Sequence, residues 1–215
     1  MKPRLDDTNG PTYLLYKHLP YLINRYFSLE PLPQGLRGSH KKTASIAAGF
    51  KTMSHQISGL PNRDEFWMLL KQHDAKVLRL YRHNIIKQIT SDYITTKTRQ
   101  CVVYDGKESA GTVKIRYPIA NLERDINFIR SSQAYIDKNV IQYRLRDKLV
   151  IYEDYEFNMN YVSDHIMPYF IGKSVVVNTR TSKQNPTRLA DRLLNYEELA
   201  RELRKLNMES FIKDT

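Results

Sequence analysis

The 215-residue sequence predicts an α+β fold: an N-terminal helical part, then a mixed, mainly antiparallel sheet, closed by an amphipathic C-terminal helix. Three observations carry that expectation. Apolar residues recur at helical spacing up to Ile89, the period changes to two from Arg99, and a helical stripe returns after Asn185. No regular strand–helix–strand alternation accompanies them, which excludes a doubly wound parallel sheet from the reading.

The first expected helix is Thr12 to Phe27, with Leu15, Leu19, Leu22, Ile23 and Tyr26 on one stripe and Pro20 kinking or dividing it. Residues 28–61 are rich in Pro, Gly, Ser, Thr, Lys and His and read as a long loop with a short helical turn near Ala44 to Phe50. Asn62 followed by Glu65 is a capping-box-like start, in which the acid satisfies the first helical N–H groups. The helix it opens is expected to run towards Ile89. Phe66, Leu70, Val77, Tyr81 and Ile85 then share one arc, and Lys76, Arg79, Arg82, His83 and Lys87 share the opposite one. A break at His73-Asp74 would divide it into two helices resembling a helix-turn-helix, but the turn lacks the Gly that often marks that motif.

Gln100 to Tyr104 and Thr112 to Tyr117 read as strands separated by the turn-rich segment Asp105 to Gly111. Leu122, Ile126, Ile129 and Ile136 predict an intervening helix. Val140 to Leu145 and Leu149 to Tyr161 return to strand character across a turn at Arg146-Asp147-Lys148, and Ser174 to Thr179 is a Val-rich strand. Asn185-Pro186 is a helix start, because Asn caps and Pro favours the first helical position. Leu189, Leu193, Tyr196, Ala200, Leu203 and Leu206 follow on one stripe, with Asn195 and Glu198 able to restart the helix. The chain thus divides into a helical, basic segment 1–98 carrying the loop 28–61 and an α+β segment 99–215, unless the two form one continuous domain.

Hydrophobic residues at 41% and charged residues at 27% are ordinary for a globular chain with a real core. Fifteen Tyr against one Trp suit interfaces and base stacking, and equally suit half-buried strands. Cys101 is alone, so neither an intramolecular disulfide nor a cysteine-based zinc site can form. The N-terminus lacks the apolar core of a signal peptide, and no apolar run approaches the ~18 residues of a membrane span. These features point to a cytoplasmic or nuclear protein, or one within a virion, without a membrane partner.

Charge is distributed unevenly. Pro31 to Tyr104 holds twelve Lys and Arg against four acids, and no acid falls between Glu30 and Asp64. Clustered charge of one sign attracts polyanions and speeds their encounter. Arg37, Lys41, Lys42 and Lys51 in the loop, with Lys76, Arg79, Arg82 and Lys87 on the expected helix face, are therefore candidate phosphate contacts. Such contacts position a protein on DNA or RNA without specifying sequence.

Enzyme readings have little support. His18, His40, His55, His73, His83 and His165 are scattered, with no pair at metal-ligand spacing, and no phosphate-loop or dinucleotide glycine pattern occurs. The Asp105 to Lys114 hairpin has Thr112 where a metal nuclease would place an acid. Glu153-Asp154-Tyr155-Glu156 reads as an exposed strand edge whose charge deters pairing, or meets the basic patch of a neighbouring copy. The stripe Leu189, Leu193, Tyr196, Leu203 and Leu206 packs on the protein's own sheet or is offered to a partner subunit. The sequence therefore supports two readings, with no cofactor in either. One is a non-catalytic nucleic-acid-binding protein. The other is a structural component of a larger assembly, such as a virion, phage tail or ribonucleoprotein, whose basic face meets a polyanion, an acidic neighbour or another copy.

Overall fold

A computed structural model describes residues 49–99, 103–104, 113–156, 158, 160–177, 181–182 and 188–212. The expected helix 12–27, the loop up to residue 48, the turn at Asp105 to Gly111 and the helix start at Asn185-Pro186 lie outside these residues. The described chain runs α1 (Ser54–Ser58), α2 (Arg63–Gln72), β1 (Lys76–Tyr81), α3 (Ile85–Thr98), β2 (Val103–Tyr104), α4 (Leu122–Gln142) and β3 (Arg146–Ile151). It continues with α5 (Tyr152–Glu156), a π-helical turn (Val162–Ile166), α6 (Met167–Ile171), β4 (Thr181–Ser182), α7 (Leu189–Arg192) and α8 (Tyr196–Lys205).

The fold is helix-rich α+β, but the expected mixed, mainly antiparallel sheet is replaced by two small pairs. β1 and β3 form a parallel pair. β2 and β4 pair antiparallel, Val103 opposite Ser182 and Tyr104 opposite Thr181. Residues divide into two compact units that interleave along the sequence: Met1–Arg79, Ser132–Val150 and Asp164–Ser174 in the first, Leu80–Ser131, Ile151–Ser163 and Val175–Thr215 in the second.

In the first unit α1 lies within the segment expected to be loop, and buries Ile57 under Leu60 and the Phe66, Leu69 and Leu70 face of α2. Trp67 is its anchor. Its ring meets Phe66 at 5.2 Å and Tyr135 at 6.2 Å, and Nε1 donates to Tyr135 Oη at 3.3 Å. A buried Trp of this kind contributes a few kcal/mol through area alone, so Trp67→Ala would cost about 3–5 kcal/mol. The α2 start falls where Asn62 and Glu65 place it, although the Asn62 side chain donates to Glu65 Oε2 at 2.6 Å rather than capping the backbone.

In the second unit α3 buries Ile85, Ile86, Ile89 and Ile94 against Leu122, Ile126 and Ile129 of α4 and Leu199 and Leu203 of α8. Ile115 joins this core as a parallel bridge to Leu193: its N–H donates to Arg192 O and its carbonyl accepts from Leu194 N, both at 2.8 Å. The segment expected as a strand at Thr112 to Tyr117 is thus reduced, among its described residues, to one bridged residue in an extended run.

One device ends three helices. At the ends of α2, α4 and α8 a non-glycine residue turns left-handed: Asp74 (φ 47°), Arg144 (φ 48°) and Asn207 (φ 55°). The next residue then donates back five positions, Ala75 to Leu70, Leu145 to Val140 and Met208 to Leu203, at 2.8–3.0 Å. This is the Schellman arrangement, and in each case both residues of the pair are buried.

That device explains the largest correction. The expected helix from Asn62 to Ile89 stops at Gln72, because Asp74 turns the chain out of the helix and Lys76–Tyr81 continues as β1. Likewise Val140 to Leu145 is the end of α4 with its left-handed turn, not a strand. Arg146-Asp147-Lys148 begins β3 rather than forming a turn, and the expected strand Leu149 to Tyr161 ends at Ile151. Glu153-Asp154-Tyr155-Glu156 is helical in α5, so it is not a strand edge. Ser174 to Val177 is extended and exposed without a ladder. The C-terminal stripe is two helices, with α8 restarting at Asn195 as its Asn-x-x-Glu spacing predicts.

Candidate nucleic-acid interface

The residues expected on one basic helical face fall on β1, on the linker after it and on α3, and the fold itself engages most of them. In the first unit Lys76 and Arg79 lie on β1. Lys76 Nζ donates to the carbonyls of Tyr169 at 2.8 Å and Phe170 at 3.0 Å, neutralising the C-terminal end of α6. Tyr169 in turn donates Oη to Arg146 O at 2.7 Å. Lys148 repeats the theme by donating to His165 O at 2.7 Å.

Arg79 reaches two carboxylates. Its Nε donates to Asp147 at 2.8 Å, its Nη2 meets the same oxygen, and Nη1 pairs with Asp137. The guanidinium side chain is only 18% exposed. Burial opposes its charge, but the two carboxylates outweigh that and hold its pKa above the ordinary arginine value. A cation enclosed this way offers little to a phosphate.

In the second unit Arg82 stacks on the Tyr152 ring, 4.1 Å from guanidinium carbon to ring centroid, with Nε 3.8 Å from Glu153 Oε1. Glu153 accepts from the backbone N–H groups of His83 at 2.8 Å and Asn84 at 3.1 Å, just ahead of α3. Burial alone would raise its pKa; those two N–H groups and the Arg82 charge bring it below the usual carboxylate range. Burial pushes the neighbouring Tyr155 hydroxyl up to about 12. Lys87 sits in the first turn of α3, where its backbone N–H donates to the capping side chain of Asn84 at 3.0 Å. The sequence reading missed Asn84 as the cap, although Asn before an Ile-rich run is the usual signal.

Lys51 is exposed ahead of α1. Arg37, Lys41 and Lys42 lie outside the described residues. The residues considered for a partner are spent on this chain's own core: Leu189, Leu193 and Leu203 are each at most 3% exposed, and Tyr196 and Leu206 pack against them. Leu189, Leu193 and Leu203 therefore present no apolar surface outward, while Tyr196 and Leu206 stay partly exposed.

Asn195 organises the adjoining polar structure. Its Oδ1 accepts from Tyr117 N at 2.9 Å while its Nδ2 donates to Tyr117 O at 2.8 Å and to Glu198 at 3.1 Å. The side-chain amide thus extends the Ile115 bridge by one more backbone-like pair. Beside it lies a shallow depression of about 500 Å³ lined by Arg116, Leu194, Glu197 and Arg201. Tyr117 also donates Oη to Asp125 at 2.9 Å, and Tyr93 donates to the same oxygen at 3.1 Å. Burial first, then the Asp125 carboxylate, drives the Tyr117 pKa far above the ordinary tyrosine value.

Cations of the second unit that the fold does not engage lie elsewhere. Lys97, Arg99 and Lys114 are exposed and pair with no acid among the described residues. Arg116 pairs with Glu198 at 3.5 Å, an open contact with 69% of the arginine side chain exposed. None of these four was among the phosphate contacts expected from the sequence, where Lys114 entered only through the Asp105 to Lys114 hairpin. For Lys97 and Arg99 the signal was available in the acid-free run Tyr93 to Tyr104, which a single tally over residues 31–104 blurs.

Among the described residues no three His, Cys, Asp or Glu side chains gather where they could hold a metal ion. No described helix is long and apolar enough to cross a membrane. Comparison of the chain with protein-family models, with curated proteins and with solved structures finds no match in any of the three.

Proposed function

We propose that this chain is a non-catalytic nucleic-acid-binding protein that contacts the phosphate backbone chiefly through the acid-free stretch between Glu30 and Asp64. The observation that carries this reading is the contrast between two sets of cations. Arg37, Lys41, Lys42, Lys51 and Arg63 follow one another with no acid between them, and Lys51 and Arg63 are exposed. Lys76, Arg79 and Arg82, by contrast, spend their charge on carbonyls and carboxylates of their own units. The first set is what a polyanion meets.

Fluorescence anisotropy of the full chain on a labelled oligonucleotide across a salt series tests this. Reversing Arg37, Lys41, Lys42 and Lys51 to Glu should reduce the slope of log K against log salt by about 3 to 4, since each duplex phosphate contact contributes roughly 0.9. Arg79→Gln should leave the slope unchanged. Wild-type affinity that does not fall with salt, or an unaltered slope in the fourfold variant, would overturn the reading.

The assembly reading keeps one specific observation in its favour. Val175, Val176 and Val177 are consecutive, extended and 37%, 83% and 38% exposed, and Leu194 is 62% exposed. Exposed apolar residues in an extended run favour pairing with another chain. Sedimentation velocity giving a stable monomer at high concentration would count against it.

A further inference from the structure

We infer that the shallow depression around Leu194 is a self-complementary surface at which two copies of this chain pair about a twofold axis. The inference rests on the assembly reading, to which it supplies a partner and a face, and it is independent of nucleic-acid binding.

The face is built wholly within the second unit. Ile115 and Leu193 bridge one another and are buried, 2% and 3% exposed, so the residues that follow them, Arg116 and Leu194, turn to the opposite side. The Asn195 amide clamps this pair by bonding both backbone groups of Tyr117, which fixes the face before any partner arrives. The first turns of α8 close the depression with Glu197, Glu198 and Arg201, and Leu194 stands among them 62% exposed.

Two of the four charges on this face meet each other. Glu198 lies 3.5 Å from Arg116 and accepts from the Asn195 side chain. Glu197 and Arg201 are different. Both are exposed on α8, four residues apart, a spacing at which a helix can pair Glu with Arg. Yet neither side chain has an ion-pair or hydrogen-bond partner among the described residues. The face therefore has an apolar centre flanked by one free carboxylate and one free guanidinium.

Charge selects the occupant. Glu197 and Glu198 repel a phosphate chain, and Arg116 and Arg201 repel a cationic segment, so the face suits a surface carrying both signs. The face itself is such a surface. A twofold axis crossing α8 between Glu197 and Arg201 sets two copies of the helix antiparallel. Glu197 of each copy then stands opposite Arg201 of the other, which makes two equivalent ion pairs from one patch and draws both Leu194 side chains under the partner. A lone exposed leucine is ordinary on a protein surface, and so are solvated charges on a helix. Neither accounts for an exposed leucine ringed by balanced charge on a clamped backbone.

Sedimentation velocity and light scattering of the nuclease-treated full chain, over a roughly hundredfold concentration range, test this. Wild type should reach a dimer and go no further. Leu194→Asp should weaken the dimer about tenfold or more. Glu197→Arg and Arg201→Glu should each do the same, because each sets like charges opposite one another twice in the dimer. Mixing these two variants should restore a dimer containing one chain of each, and the double variant E197R/R201E should dimerise with itself. Recovery on mixing cannot come from misfolded chains, and unchanged thermal melts confirm the fold of each variant. A wild type that stays monomeric overturns both this inference and the assembly reading. Association that Leu194→Asp and the charge variants leave intact overturns the inference alone, and its loss in Val176→Asp would then keep the assembly reading. Charge variants that weaken the dimer without recovery on mixing, or association that continues beyond a dimer, overturn the twofold pairing.

Discussion

Replacing Asn195 by Asp changes one NH2 to an oxygen and nothing else in shape, so the expected penalty is wholly polar. Asn195 Oδ1 still accepts from Tyr117 N at 2.9 Å, but the atom that donated to Tyr117 O at 2.8 Å becomes an acceptor facing an acceptor. Losing that bond while leaving a buried carbonyl unpaired costs about 1–3 kcal/mol. The same atom lies 3.1 Å from Glu198, and two unit charges that close repel by about 5 kcal/mol at an effective dielectric near 20. Glu198 is 45% exposed and swings away, so only about 1–2 kcal/mol of that repulsion survives. The sum is a loss of about 3–5 kcal/mol at neutral pH. Protonating the new carboxyl restores a donor to Tyr117 O. The folded state therefore holds its proton more tightly than the unfolded chain, whose Asp pKa is about 3.9. A folded pKa raised in this way means that stability is recovered below the unfolded value and lost as pH rises through the folded one. Urea unfolding of wild type, Asn195→Asp and Asn195→Ala between about pH 4 and pH 7 reads this out. The Ala variant should be destabilised equally across the range. An Asp variant within about 1 kcal/mol of wild type at pH 7, or equally destabilised at pH 4, refutes the bridging role given to this amide.

Arg144→Gly should stabilise the protein by about 0.5–1 kcal/mol, because it relieves a left-handed residue, whereas Asn207→Gly should be nearly neutral since Asn tolerates that conformation; thermal melts measure both. Glu153→Gln should abolish an acid-dependent component of stability. Its depressed pKa makes that component present above the unfolded value near 4.3 and lost as pH falls through the lower folded value, which acid titration by circular dichroism follows. Tyr117→Phe should cost about 1–3 kcal/mol at pH 7 through loss of the bond to Asp125. It should also raise the midpoint of alkaline unfolding, since the raised Tyr117 pKa gives stability that is present below about pH 10 and lost above it. A midpoint that fails to move would show that Tyr117 does not set the alkaline limit.

Elements whose signal is local were legible. The helix at Leu122, the starts at Asn62 and Asn195 and the stripe of the C-terminal helices all follow from periodicity and capping spacing, and all are present. What failed was continuation. Lys76–Tyr81 carries apolar residues that satisfy a helical arc as well as a strand, and six residues are too few to decide between the two periods. Asp74 decides it, by a left-handed turn that Asp adopts more readily than most residues yet does not announce as Gly would. Arg144 hides the same turn at the end of α4, and there the chain again leaves a helix for a strand.

Charge divides in the same manner between what is local and what is not. The sequence by itself determined an α+β chain with a core, an excess of positive charge and an acid-free run from Pro31 to Arg63. These depend only on which residues are neighbours along the chain. Only the tertiary structure decided which cations are spent. Arg79 meets Asp137 and Asp147 from 58 and 68 residues away, and Lys76 meets carbonyls 93 and 94 residues away. A net charge counts such pairs as though every cation were available, whereas an ion pair formed across the fold removes its cation from any external partner.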